Sequence, residues 1–428
     1  MKVSVITLGC KVNQYESQAM ETLLKERGHE PVSAGEKADA YIINTCTVTA
    51  ESSRKSRQAA RQAIADNPKA IIAVCGCWSQ ISPQEAAELG AHLVSGSGDR
   101  KAFLDDLEEI YNSRIKKVSA DEPKKRRKFE RLPAGTLLGR TRGMLKIQDG
   151  CENFCTYCII PYARGPIRSL PAAEAVSEAE RLAAEGIKEL VVTGIEISSY
   201  GKDLGDGSSL ESLIVSLDRA VPGLRLRLGS LEPRIITSEF CSALAELEGL
   251  CPHFHLSLQS GCDQTLKRMG RKYDTRLFYD ALCLLREHFP DCGITADLIV
   301  GFPGESDAEF SQTLAFIEKC AFSSMHIFPY SRRPGTPAAS MPEQLTRAVK
   351  KERARRASKL AAKMKEEYLN SCTGTIQSVL FETEKPGTSI GYAGNYCRVQ
   401  VATPGLGNII KDVRITGTRN GMLIGTVI

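Results

Sequence analysis

Short apolar runs of strand length, each followed by a helical pattern, recur from the first residues of this chain to about residue 330, and that alternation confines it to α/β architectures. In the amino-terminal part Val3–Leu8, Ala40–Asn44 and Ala70–Val74 read as strands, with helices over Ser17–Arg27 and Ser52–Ala65 between them. Such alternation predicts a doubly wound parallel sheet with helices on both faces. Ligands of such sheets gather at the carboxyl ends of the strands. Cys10, Cys46 and Cys77 each fall just beyond one of the three strands, so topology delivers three thiols to one sheet edge despite their distance in sequence.

Lys116–Arg131 is charged and contains proline, and reads as a linker. The rhythm then resumes, with strands near Leu145–Gln148, Leu190–Thr193, Leu224–Leu228, His255–Leu258, Ile294–Val300 and Met325–Phe328. Helical patterns such as Ala172–Ala184 and Glu305–Lys319 fill the gaps. Six βα units fall short of the eight that close a barrel, which predicts an open, partial (β/α)6 barrel. After a long basic helical pattern, Glu343–Tyr368, the character changes. Ser378–Glu382, Tyr396–Val401, Asp412–Thr416 and Met422–Val427 alternate and are separated by glycine-rich turns. They predict a small antiparallel β-barrel, a shape that binds oligonucleotides; packing or dimerisation is the alternative use. The units expected are 1–118, a basic linker 119–136, the partial barrel with its basic helix 137–368, and the small barrel 369–428.

Charge is uneven. The net charge is +5, yet residues 114–131 hold nine Lys/Arg against three acids and residues 345–365 nine against one. Two basic tracts on an otherwise acidic chain are places for a polyanion, or else solvated faces. No window reaches transmembrane length, and the first residues read as a strand, not a secretory signal. Fifteen cysteines without a signal favour reduced thiols and metal ligation over disulfides, so a cytoplasmic protein without membrane contact is expected.

Cys151-Glu152-Asn153-Phe154-Cys155-Thr156-Tyr157-Cys158 follows the first strand of the partial barrel. Its three thiolates can converge on one metal centre, with no obvious fourth ligand nearby. Structural zinc takes four protein ligands; a zinc site completed by a distant cysteine is one reading. A cubane iron–sulfur cluster on three thiolates, leaving one iron open, is the other. On the loops at the same barrel end lie Tyr157, Gly194 and Glu196 after the second strand, Ser230 after the third and Gln259 after the fourth. Asp297 lies within a strand. Nothing resembles a Ser-His-Asp triad, and Gly301-Phe302-Pro303-Gly304 is a turn, not a phosphate loop.

The triad spacing resembles radical S-adenosylmethionine (SAM) enzymes, and further motifs narrow the resemblance to the methylthiotransferases. Leu8-Gly9-Cys10-Lys11-Val12-Asn13-Gln14-Tyr15-Glu16-Ser17, Asn44-Thr45-Cys46-Thr47-Val48-Thr49 and Gly76-Cys77-Trp78-Ser79-Gln80 resemble that family's amino-terminal signatures. Phe154–Gly165 and Asp297–Glu305 resemble its radical SAM domain, and the carboxyl-terminal barrel its RNA-binding TRAM module. The resemblance covers nearly the whole chain in the family's order.

It implies two 4Fe-4S clusters, one on Cys151, Cys155 and Cys158 whose open iron chelates SAM, and one on Cys10, Cys46 and Cys77 for sulfur transfer. Cys75 competes with Cys77, and the Gly-Cys-aromatic context favours Cys77. Tyr157 stands where the family places an aromatic near the adenine, and Gly194, Glu196, Ser230 and Gln259 are candidates for SAM or substrate contact. Two SAM molecules per turnover, a reducing electron donor and a sulfur source are implied, and no protein acid or base. Lys11-Val12-Asn13 resembles the subgroup that methylthiolates C2 of N6-threonylcarbamoyladenosine at position 37 of the tRNA anticodon stem-loop. Isopentenyladenosine 37, an aspartate of a ribosomal protein, and a non-enzymatic iron–sulfur tRNA-binding role are the alternatives.

Overall fold

The computed structural model describes residues 1–33, 35–134 and 141–428. The expected junction at 136/137 lies outside the described residues.

The amino-terminal sheet is parallel and six-stranded, built from β1 (Lys2–Thr7), β2 (Glu30–Val32), β3 (Ala40–Thr45), β4 (Ile71–Gly76), β5 (Leu93–Ser95) and β6 (Lys117–Ser119) in the order β2-β1-β3-β4-β5-β6. β3 and β4 are buried at every residue, as central strands covered on both faces must be. Helix α1 (Lys11–Glu26) follows β1, α2 (Ala50–Asp66) follows β3, and the short α3 (Cys77–Ile81) follows β4. Helix α1 starts earlier than Ser17 because Cys10 already occupies its N-cap in extended conformation. β2, β5 and β6 are three-residue strands, too short to carry a period of their own. β6 lies inside the stretch expected as linker and pairs in register with β5, Leu93 against Lys117.

The central unit has β7 (Arg142–Asp149), β8 (Arg168–Ser169), β9 (Glu189–Gly194), β10 (Arg225–Leu228), β11 (Ser230–Leu231), β12 (His253–Gln259), β13 (Gly293–Val300) and β14 (Ser324–Pro329). They form two sheets, β10-β9-β7-β8 and β11-β12-β13-β14. Only Gly229 separates β10 from β11, so the two are one interrupted strand, and six parallel positions make an open barrel with β8 as an antiparallel edge. Leu145, Leu190, Leu226, Leu256 and Leu298 join the large core beneath the helices. The residues alternating with them face the lumen.

The long helix Arg347–Ser371, capped by Thr346, packs against β14 and β13. It leads into a closed barrel of β15 (Ile376–Lys385), β16 (Thr388–Ala393), β17 (Arg398–Val401), β18 (Ile410–Arg419) and β19 (Met422–Val427) with its own core. Its pairings are antiparallel except that of β17 with β19, which is parallel. β16 has no counterpart among the four strands read from sequence. Gly391 lies within it, where a Cβ would stand 2.2 Å from the Leu380 carbonyl oxygen. A glycine required by close strand approach disguises a strand as a turn.

Candidate active site

The cysteine triad occupies the loop after β7. Cys151 N–H donates to Gly165 O (3.0 Å), Thr156 N–H to Met269 O (3.0 Å), and Thr156 Oγ1–H to Arg268 O (2.8 Å). Phe154 takes φ 46°, a left-handed conformation rare for an aromatic residue, and its ring meets Tyr162 edge-on at 5.8 Å. Burial pushes the Cys151 thiol up to about 11 and the Cys158 thiol up to about 12. Burial thus disfavours the thiolate at both, an effect that the charge of a bound metal would reverse. Arg271 donates from Nη1 to Cys155 Sγ at 3.3 Å while its guanidinium lies over the Tyr273 ring.

The amino-terminal trio is assembled from three strand ends: Cys10 beyond β1, Cys46 beyond β3, and Cys77 opening α3 after β4. The three thiols lie within electrostatic range of one another; burial pushes Cys77 up to about 12 against the opposing charge of Arg164, with Cys10 and Cys46 adding to the rise. Cys75, within β4, is fully buried and belongs to the hydrophobic core. Packing here is tight: Gly9, at φ 110°, would place a Cβ 2.9 Å from Cys46 Sγ. Asn13 ties the loops together, donating to Leu8 O (2.7 Å) and Thr45 O (2.9 Å).

Arg164 links the two sites. It ends the short helix Ile160–Arg164 that follows the triad, yet its Nε donates to Cys77 Sγ at 3.2 Å. It also pairs with Glu16 of α1 and donates to Asn13 Oδ1 (2.9 Å). Glu16, itself fully buried, takes Lys146 of β7 and Arg100 as further partners at 3.0 Å each. Burial alone would raise its carboxyl, but Arg164, Lys146 and Arg100 together hold it far below the usual carboxylate range. Arg333, after β14, donates to Thr47 Oγ1 (2.5 Å) and Ser53 Oγ (3.1 Å), fixing the loop that carries Cys46.

A cavity of about 240 Å³ lies between the sites, lined on one side by Val48 and Thr49 and on the other by Tyr157, Cys158, Gln259 and Asp297. Tyr157 meets Phe302 edge-on, and Gln259 reaches the cavity at a bulge where it takes φ 66°. Asp297 faces the lumen and pairs with His255 Nε2 at 3.3 Å. Glu196 lies within range of Cys151, and its Oε1 is buried without a hydrogen-bond partner. Burial raises its carboxyl. Such an orphaned oxygen beside the triad suits the amino group of SAM. A Cβ on Gly194 would stand 2.9 Å from Gln148 O, so its missing side chain serves strand packing. Ser230 is exposed at the start of β11 and does not line this cavity.

Donor chemistry separates the metal readings. Among the described residues, the group of His, Cys, Asp or Glu side chains whose donor atoms all lie within 4.8 Å of one another is His255, Asp297 and His326. Neither cysteine trio contracts that far, whereas tetrahedral zinc at ~2.3 Å from each sulfur needs thiolates about 3.8 Å apart. Wider trios of thiols, each with one arginine at a sulfur, fit a cluster with delocalised negative charge. Arg164, Arg271 and Glu16 escape a reading of spacing, since their partners are 87, 116 and up to 148 residues away.

The open (β/α) barrel and the triad loop at its strand ends define a radical SAM enzyme. Residues 145–317 match the radical SAM superfamily model and residues 2–96 that of uncharacterized protein family UPF0004. The threonylcarbamoyladenosine tRNA methylthiotransferase MtaB of Bacillus subtilis is 41% identical over 93% of this chain and 89% of its own. That of Thermotoga maritima is 41% identical over 82% and 80%. The tRNA-2-methylthio-N(6)-dimethylallyladenosine synthase of Pelotomaculum thermopropionicum is 34% identical over 99% and 97%. The chain belongs to the radical SAM tRNA methylthiotransferases. The radical S-adenosylmethionine methyltransferase TsrM from Kitasatospora setae shares the fold at 18% identity, with a TM-score of 0.59 over 90% of this chain and 79% of its own. No helix among the described residues is long and apolar enough to cross a membrane.

Proposed function

We propose that this enzyme methylthiolates C2 of N6-threonylcarbamoyladenosine at position 37 of tRNA, giving 2-methylthio-N6-threonylcarbamoyladenosine. Cys151, Cys155 and Cys158 would hold one 4Fe-4S cluster and Cys10, Cys46 and Cys77 a second. The observation that carries the substrate is that relatives at 41% identity, from Bacillus and Thermotoga, are named for threonylcarbamoyladenosine. The 34% match over nearly the full length of a dimethylallyladenosine synthase supports isopentenyladenosine as the second reading.

A cubane cluster with one open iron supplies one-electron reduction of SAM, and hence a radical able to attack an aromatic C–H too weakly acidic for a positioned base. The stoichiometry needs two SAM molecules per turnover, one for the methyl group and one for the radical, with a reducing electron donor and a sulfur source. Glu196 would accept from the SAM ammonium, Tyr157 would lie against the adenine, and Gln259 would close the cavity wall. Arg271 and Arg164 would each hold negative charge at one sulfur of their site. The cavity flanked by both sites suits a base turned out of the stem-loop.

On the long helix Arg347, Lys351, Arg355, Lys359 and Lys363 are all exposed at i, i+4 spacing, a continuous stripe suited to phosphates beside the small β-barrel. The units would be 1–118, 119–136, 137–368 and 369–428, in a cytoplasmic enzyme. Reconstituted enzyme, SAM, sulfide and reductant should convert an anticodon stem-loop carrying N6-threonylcarbamoyladenosine to its 2-methylthio product by nucleoside mass spectrometry. Conversion of the isopentenyladenosine stem-loop alone would overturn the assignment.

A further inference from the structure

A second cavity, of about 470 Å³, occupies the other end of the barrel lumen. Its walls carry Met144, Val191 and Arg227 from the inward faces of β7, β9 and β10, and Tyr396 and Glu382 of the carboxyl-terminal barrel close it. Lys11 and Gln14, from the first turn of α1, enter it from the amino-terminal domain. The two cavities share one polar wall of the lumen. Tyr396 stacks on His253 at 4.7 Å, His253 and His255 meet Thr295 Oγ1 at 3.1 and 2.9 Å, and His255 pairs with Asp297 at the upper cavity.

The charges in this lower cavity are unequal. Glu382 is taken by Arg142, and Glu189 by Arg225 and Arg227 at 3.0 and 2.6 Å. Lys11 is exposed at the mouth of this cavity and makes no hydrogen bond or ion pair among the described residues; partial desolvation, then Arg227 and Arg142, lower its pKa against the pull of Glu189. The cavity wall carries Lys11, Arg142 and Arg227 against Glu382 alone, and of these cations Lys11 is the one without a carboxylate partner among the described residues.

We infer that Lys11 is a specificity-determining residue that receives the carboxylate of the substrate's N6 substituent inside the lumen, an inference that rests on the threonylcarbamoyladenosine reading above. Lys11 adjoins Cys10 in the chain, so its backbone starts at the sulfur site while its side chain lines the lower cavity. C2 and the N6 substituent flank N1 on the same edge of a purine. In the proposed pose, C2 faces the cysteine trio and the substituent runs along the shared polar wall toward this amine. A dimethylallyl group forms no such pair, so the contact favours the acid-bearing substrate over it.

The test compares two anticodon stem-loops, one carrying N6-threonylcarbamoyladenosine and one with that carboxylate reduced to the alcohol, as ligands of the reconstituted holoenzyme. Fluorescence anisotropy should give the acid about tenfold to a hundredfold tighter binding than the alcohol, the range of one charge-assisted hydrogen bond. Lys11→Gln should bring the ratio to about one, and Lys11→Arg should restore most of it, with iron content and visible absorbance unchanged. Equal binding of the two stem-loops by wild type would overturn the inference without needing any variant. So would a ratio that survives in K11Q, or a loss of SAM affinity in K11Q with the RNA ratio intact, which would assign the amine to the SAM carboxylate. If wild type does not methylthiolate the acid stem-loop at all, the substrate reading has failed instead.

Discussion

The two cysteine sites are built by opposite strategies. The triad comes from one eight-residue loop whose shape is held by backbone hydrogen bonds and a left-handed Phe154. The amino-terminal trio comes from three strand ends and exists only when the sheet has formed. Both place one arginine at one sulfur, Arg271 at Cys155 and Arg164 at Cys77. Arg271 reaches its sulfur from within the same barrel, whereas Arg164 crosses from the barrel to the other domain and meets buried Glu16 on the way. The local site can be read and altered alone. The composite one depends on how two domains dock.

The sharpest break of this comparison is to remove one cysteine from each site. Cys155→Ala should abolish 5′-deoxyadenosine formation from SAM, whereas Cys46→Ala should retain it and lose only the methylthio product. Chromatography of the reduced, reconstituted variants measures both, and deoxyadenosine lost equally from the two would erase the division of labour.

Next in size is Arg164→Met. It removes one cation from a buried network in which Glu16 keeps Lys146 and Arg100 and Asp149 keeps Lys146 and Arg168, with an expected loss of about 1–3 kcal/mol in urea unfolding. Arg271→Met removes a partly buried guanidinium that touches Cys155 and Tyr273 within one domain and pairs with no carboxylate among the described residues, and should cost less.

Glu196→Gln tests the local site alone. Removing the carboxylate beside the triad should weaken SAM binding by about tenfold or more in calorimetry, with stability unchanged. Unaltered affinity would place the SAM amine elsewhere.

The smallest expected effect is on pH dependence. Glu16 and Asp149 are held below the carboxylate range in the folded protein, where cationic neighbours outweigh burial. Unfolded carboxyls titrate near pH ~4, so the stability these two contribute is complete above that value and falls away as the pH drops below it. Urea midpoints measured from pH 7 down to pH 3 should decline less steeply in Glu16→Gln than in wild type.

What sequence determined by itself was the short-range part. Cys151, Cys155 and Cys158 announce their convergence by spacing, and the βα rhythm places Cys10, Cys46 and Cys77 at one sheet edge, because strand and helix periods are local properties. The three-residue strands, the interrupted β10/β11 and the glycine-bearing β16 were illegible, since neighbouring strands impose them and their own pattern does not. Tertiary structure alone decided that Cys75 turns into the core while Cys77 turns to the trio. It alone brought Arg164 and Glu16 together across 148 residues and left the Lys11 amine in the lumen beside paired arginines. Side-chain direction and docking follow from packing between elements distant in the chain, and no spacing along the chain encodes that geometry.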